Sequence, residues 1–217
     1  MSNMRLLTLL LLSTITLFGQ VSFNEPKTII KHNELTLYLD SDNNSFISKH
    51  ELKYVNFLKL DSDRDDKWHS EIKGPYTKEP YLYSGYDMGH LTPSHITSYN
   101  DTLNHHSFSF YNQAPQSAGF NRGKWKRLEL SIEDSIAKYK TDVVIITGVI
   151  YNEIKKVYLG KSKIKIPEMY YKILYIKTKK PTTYFWIGSN KNGEVMITNL
   201  KDLNGVLELN KTTLKFK

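Results

Sequence analysis

The sequence predicts an α+β fold. Strand-like segments come first, one strong helix sits in the middle, and further strands follow, an order that keeps helix and sheet apart. The helix signal is an apolar stripe, Trp125, Leu128, Ile132 and Ile136, at spacings of three and four. The strand signal is Val143 to Ile150, a β-branched run that reads as a buried strand with Gly148 near its end.

The elements follow in order. Met1 to Gln20 reads as a secretory signal peptide: Arg5 is its one charge, Leu6 to Phe18 is a largely apolar run rich in Leu, and Gly19 offers a small residue for cleavage. That run is shorter than the roughly 20 residues of a membrane span. Residues 21–217 read as one domain, without linker, repeat or low-complexity tract. Glu34 to Tyr38 and Phe46 to Ser48 look like short strands, and Glu51 to Leu60 fits helix or strand. Residues 73–86, rich in Pro, Gly and Tyr, read as loop. Ser107 to Tyr111 alternates polar and aromatic residues, as a strand does. The helix starts near Arg122 and runs to about Tyr139. Met169 to Lys177 and Thr182 to Ile187 are further strands, and Thr198 is the expected cap of a short last helix.

Composition narrows the chemistry. The 217 residues carry a net charge of +8 and contain no cysteine. Disulfides, Cys-ligated zinc, iron–sulfur clusters, a thiol nucleophile and a lipidated N-terminal cysteine are therefore excluded. Without the leader the charge is still +7, from 29 basic and 22 acidic residues, which favours a polyanionic partner.

Two stretches carry chemistry. In Tyr86-Asp87-Met88-Gly89-His90-Leu91-Thr92-Pro93, a glycine before His90 lets the backbone turn and expose an imidazole suited to accept a proton near neutral pH. The second runs from Tyr111-Asn112-Gln113-Ala114-Pro115-Gln116 through Phe120-Asn121-Arg122-Gly123-Lys124-Trp125-Lys126-Arg127-Leu128-Glu129. It sets a carboxamide, Asn121, at the mouth of the helix and a carboxylate, Glu129, along it. Such oxygen ligands suit Mg²⁺. Arg122, Lys124, Lys126 and Arg127 add a basic rim able to hold phosphates. On an unbroken helix Asn121 and Glu129 lie about 12 Å apart along the axis and about 80° around it. Asn121 is thus the direct ligand and Glu129 the holder of a metal-bound water. Together these groups suggest metal-assisted phosphodiester hydrolysis.

The two blocks, in this order and about thirty residues apart, resemble the sugar-non-specific DNA/RNA endonuclease family of the ββα-metal (His-Me finger) superfamily. Val143 to Val149, and Ile166-Pro167 through Tyr171-Lys172, fit as well; the resemblance covers roughly residues 30–209. It implies a central antiparallel sheet with a ββα finger, His90 on its β side and Asn121 on its helix. It implies His90 as general base, Asn121 as ligand of a single Mg²⁺ (or Mn²⁺), Glu129 as orienter of the metal's waters and Asn112 as a positioning residue. Arg64, in Leu60 to Trp68, matches an upstream phosphate-binding arginine, and Arg122, Lys124 and Arg127 are the candidate substrate contacts. The implied reaction cuts DNA and RNA with little sequence preference and leaves 5′-phosphates. Met88 stands where the family has Arg, and Glu133 where it often has a second arginine. The expected place of action is secreted or periplasmic with no membrane attachment of the mature form, and a homodimer and an inhibitor protein are open as partners.

The competing reading is a secreted nucleic-acid- or calcium-binding module that has lost catalysis. Asp40 to Glu51 matches six positions of an EF-hand loop, but Ser45 replaces its turn glycine. A strand–turn–strand is the preferred expectation there. His105-His106 is read as loop or strand, because adjacent side chains do not face one way; His95 is left without a role.

Overall fold

The computed structural model describes residues 28–61, 65–72, 76–152 and 154–208. The expected signal peptide and Arg64 lie outside the described residues. The chain opens with β1 (Thr28–His32), β2 (Leu35–Leu39), β3 (Ser45–Leu52) and a single helical turn, α1 (Tyr54–Phe57). Next come β4 (Tyr86–His90), α2 (Asp101–Ser107), β5 (Gln113–Ser117), a short α3 (Ala118–Phe120) and the long α4 (Lys126–Tyr139). Strands β6 (Val143–Ile150), β7 (Met169–Ile176), β8 (Thr182–Ser189) and β9 (Val195–Thr198) follow, and α5 (Leu200–Glu208) comes last.

Among the described residues, seven strands form one antiparallel sheet in the order β1-β2-β3-β6-β7-β8-β9. Every residue of β6 is buried, because both faces of the sheet are covered. Val143, Ile145 and Val149 pack with Trp125, Leu128, Ile132 and Ile136 of the α4 side. Val144, Ile146 and Ile150 pack with Leu203 and Leu207 of α5 on the other. A strand with period-two side chains thus feeds two cores.

β4 and β5 form a separate antiparallel ribbon, Asp87 facing Gln116 and His90 facing Gln113, and the chain runs from it straight into α3 and α4. This is the ββα unit. Asn190 staples the ribbon to the main sheet: its amide donates to the Pro115 and Pro167 carbonyls and its oxygen accepts from Ser117 N–H at 2.7 Å. The Tyr170 hydroxyl donates to the same Pro115 carbonyl at 2.9 Å.

Several expectations are corrected. Ser107 to Tyr111 is not a strand but the end of α2 and a 3₁₀ turn over Phe110–Asn112. Its serines bond locally, Ser107 Oγ to the Asn104 carbonyl and Ser109 Oγ accepting from Tyr111 N–H, which competes with a ladder. His105 and His106 are on α2, not in loop or strand. The cap of α5 is Asn199 rather than Thr198, since its Oδ1 accepts from Asp202 N–H at 3.0 Å. Gly89 does not make a turn. It lies within β4, where a Cβ would stand 2.2 Å from Cδ of Gln116. β1, β9 and α2 were not foreseen.

Asp40 to Glu51 is the β2–β3 turn and β3 itself. Lys165 places its ammonium 2.8 Å from Asp40 Oδ2 and 2.7 Å from Asp42 Oδ2, where a calcium loop would hold its ion. Asp40 Oδ1 is taken by the N–H groups of Asp42 and Asn44. The turn thus carries its own cation.

Candidate active site

The ββα unit opens onto a cleft of about 810 Å³. Asp87, Met88 and His90 line it from β4, and Trp68, Pro93 and His95 from the flanking segments. Asn121, Arg122, Lys126, Glu129, Leu130 and Glu133 close it from the helix side. His90 ends β4, and its ring is fixed between two aromatic walls. Trp68 lies 4.7 Å away, tilted by 38°, and Phe108 meets it edge-on at 4.9 Å. Trp68 as a wall of the site was missed; a lone Trp in a polar segment has no periodicity to reveal it.

Asn121 follows α3 in a π-type turn over Asn121–Trp125. Gly123 breaks the helix there with φ −100° and ψ −116°, so the regular-helix separation expected between Asn121 and Glu129 does not apply. The kink sets both residues on the same cleft. Lys126, Glu129 or Leu130, and Glu133 then recur at helical spacing on one face of α4. Lys124 is ion-paired with Glu194. Of the basic residues expected at the substrate, the cleft takes in Arg122 but not Lys124 or Arg127, and Lys126 joins it.

Asp87 organises this wall. Its Oδ2 accepts from Asn121 Nδ2 at 2.9 Å and from Arg122 Nε at 2.9 Å, and its Oδ1 accepts from Arg122 Nη2 at 2.6 Å. A carboxylate accepts only, so the Asn121 amide nitrogen must face it. The carboxamide oxygen is thereby left for the cleft. Burial pushes the Asp87 carboxyl up, but the hydrogen bonds from Arg122 and Asn121 outweigh it and hold it below the usual aspartate range.

Glu129 meets Lys172, whose ammonium is 3.3 Å from Oε1 and is otherwise enclosed. Lys172 also donates to Thr147 Oγ1 at 2.7 Å and to the Leu91 carbonyl at 3.3 Å, and lies 5.0 Å from the Trp125 ring centre. Burial pushes Glu129 up and Lys172 down, each partly opposed by the charge of the other. Glu133 accepts from or pairs with His95, Nδ1 to Oε1 at 3.1 Å, which gives His95 a place on the cleft rim. Asn112 does not reach the cleft. It is fully buried, donates to the Thr92 and Ser107 carbonyls at 2.8 Å, and accepts from Thr92 N–H at 3.0 Å. It pins the chain just beyond His90.

Asn121 and Glu129 both line the cleft, and a carboxamide oxygen and a carboxylate are donors of the kind that a hard divalent cation takes.

A fold of this kind with a histidine facing an Asn–Glu wall defines a ββα-type nuclease. A family profile described as DNA/RNA non-specific endonuclease matches residues 13–215, and the chain belongs to that family. Among curated relatives, the salivary endonuclease of Lutzomyia longipalpis is 26% identical over 160 residues, covering 69% of this chain and 38% of that protein. The mitochondrial nuclease EXOG of Danio rerio is 28% identical over 114 residues, covering 48% and 33%. Human mitochondrial endonuclease G is 25% identical over 136 residues, covering 55% and 45%. The match thus spans less than half the length of each of these relatives. A chain from the crystal structure of an EndoG/EndoGI complex shares the fold, with a TM-score of 0.71 at 20% identity over 85% of this chain and 86% of that one.

Proposed function

We infer that this protein is a secreted, metal-dependent endonuclease that hydrolyses phosphodiester bonds of DNA and RNA with little sequence preference. One observation carries the reading: His90 and Asn121 line one open cleft, and Asp87 holds the Asn121 amide by its nitrogen, which leaves the oxygen for a metal. Asn121 would hold a Mg²⁺ or Mn²⁺ ion directly, and Glu129 would hold it through its waters. Bound there, such an ion neutralises charge on the phosphate as the bond to the leaving oxygen breaks.

The protein's own groups do the rest. His90 takes a proton from the attacking water, while Trp68 and Phe108 keep its ring from rotating. Arg122, still largely exposed beyond its pair with Asp87, binds a phosphate, and Lys126 a neighbouring one. The resemblance to the family assigns Arg64 a phosphate contact as well. Displacement of the 3′ oxygen leaves 5′-phosphate ends. Because the 2′-hydroxyl takes no part, RNA and DNA are both substrates. Contacts made to phosphates rather than bases give weak sequence preference and strong salt dependence. The leader read in residues 1–20, and the salivary nuclease among the relatives, support action outside the cell. In the matched complex EndoG is bound by EndoGI and inhibited, which supports an inhibitor protein as a partner here.

The test is cleavage of plasmid DNA and of RNA by the purified protein with Mg²⁺, with Mn²⁺ and with excess EDTA, beside His90→Ala. Both nucleic acids should be cut, and EDTA and His90→Ala should each stop the reaction. A folded protein that retards DNA on a gel without cutting it would overturn the reading in favour of a binding module, with Met88 and Glu133 as the lost parts.

A further inference from the structure

Four of the chain's seven histidines lie together, away from the cleft. His32 ends β1, His69 and Glu71 come from the segment before the ribbon, and His105 and His106 sit in the last turn of α2. Nothing in the nuclease reading uses them. His32 Nε2 is 2.5 Å from Glu71 Oε1, and His106 Nδ1 is 3.0 Å from the same oxygen. The rings of His32 and His106 stack at 3.5 Å with 10° between planes. His69 Nε2 is 3.9 Å from that oxygen and is buried. Ligand atoms of His32, Glu71 and His106 all lie within 4.8 Å of one another.

We propose that His32, Glu71 and His106, with His69 as fourth ligand, form a Zn²⁺ site separate from the catalytic cleft. The donor set is three imidazoles and one carboxylate, which suits zinc and not Mg²⁺. Ligand atoms around a tetrahedral zinc with bonds of about 2.0–2.1 Å sit roughly 3.3 Å apart. The three nitrogen distances to Glu71 Oε1, 2.5, 3.0 and 3.9 Å, bracket that value. Because imidazole lone pairs lie in the ring plane, the near-parallel His32 and His106 rings must rotate out of their stack, and His69 must move in, for the four to close on one ion.

The surroundings are those of a metal site. Ser109 Oγ donates to Glu71 Oε2 at 2.8 Å, which orients the carboxylate and leaves Oε1 for the ion. His69 Nδ1 faces the Lys67 carbonyl at 3.3 Å. A carbonyl accepts only, so Nδ1 carries the proton and Nε2 presents a lone pair to the cluster. His105 lies outside the ligand set. It stacks on His69 at 4.1 Å and pairs with Asp65 Oδ2 at 2.6 Å, buttressing the His69 ring. The ion would tie three distant segments together. One of them carries Trp68, the neighbour of His69 and a wall of His90.

The experiment loads metal-free, full-length protein with Zn²⁺ in excess Mg²⁺ and measures retained zinc after gel filtration. One equivalent per chain is expected, together with a rise in Tm. Loss of an outer-shell partner alone lowers metal affinity about 10–100-fold, so His32→Gln and His106→Gln should each weaken zinc binding by about 100-fold or more. Asn121→Ala, altered in the cleft, should keep its zinc. If a histidine variant fails to fold, the wild type still decides the matter. Zinc should shield His32, His69 and His106, but not the half-exposed His95, from diethyl pyrocarbonate, read by mass spectrometry. No zinc retained against Mg²⁺, loss of zinc in Asn121→Ala, or shielding without His32 and His106 would each overturn the proposal.

Discussion

Asp87 Oδ2 lies 2.9 Å from Asn121 Nδ2, and this hydrogen bond decides which end of the Asn121 amide faces the cleft. The two residues are thirty-four positions apart in the chain, on the strand and the helix side of the ββα unit. Under the proposed function Asp87 is a positioning residue: it holds the Asn121 amide nitrogen and the Arg122 guanidinium. Asp87→Asn offers Asn121 a donor as well as an acceptor, so the Asn121 amide can flip. The expected result is a loss of metal affinity of about 10–100-fold, with much of the maximal rate recovered at high Mg²⁺. A Mg²⁺ titration of plasmid cleavage checks it; a fall in maximal rate with unchanged Mg²⁺ dependence would contradict it.

Trp68 holds the ring of His90 from one side at 4.7 Å. Trp68→Ala opens a space into which the imidazole can rotate. Misplacing a reacting group by about 1 Å costs on the order of 100-fold in rate, so kcat should fall by about that much and KM change little. Trp68→Phe should retain most of the activity. Steady-state kinetics on both variants separates a wall from a substrate contact.

Glu129, on the cleft wall, forms an ion pair with the buried Lys172. Lys172→Met leaves the carboxylate without its cation and should cost about 3–5 kcal/mol of stability. Adding Glu129→Gln removes the unpaired charge and should restore part of the loss. Urea unfolding of the two single variants and the double variant gives the coupling.

His50, fully buried on β3 with Nε2 3.3 Å from the Tyr99 hydroxyl, is pushed down to about 4 by burial, with Glu51 opposing. Between that value and the ordinary 6.5, the unfolded chain binds a proton that the folded chain refuses. Stability therefore falls as pH drops through this window, by about 3 kcal/mol for this residue, and the effect is complete near pH 4. His50→Gln should flatten that acid limb in urea unfolding from pH 7 to 4.5.

The parts of the fold with a strong period were legible in the sequence. The stripe from Trp125 to Ile136 and the run Val143 to Ile150 are the helix and the central strand of the structure. Their burial comes from many apolar side chains acting together, and a period survives in the sequence. The parts set by single contacts were not legible. The serines at 107 and 109 mimic strand alternation but bond to nearby backbone or to Glu71. The basic rim could be seen as composition, but its division at Gly123, with Lys126 facing the cleft and Lys124 drawn to Glu194, depends on a local break in the helix. Asn112 showed in the sequence as a polar residue near the site; its three hydrogen bonds to backbone need the folded chain. The histidine cluster was least legible, because its members come from three separate segments and the adjacent pair at 105 and 106 diverges to different partners.

In the main sheet every strand pairs with its sequence neighbour except where β3 meets β6. All of the cleft lies on the excursion between them, residues 53–142. Closing a chain of roughly ninety residues costs only about 1 kcal/mol more than closing one of thirty, since the penalty grows with the logarithm of length. The meander therefore tolerates the whole excursion at small thermodynamic expense, while the β3–β6 pairing that encloses it is a long-range event of the kind that slows folding. Insertions and deletions in the excursion can remodel the cleft and leave the pairing of Ile47 with Gly148 in register.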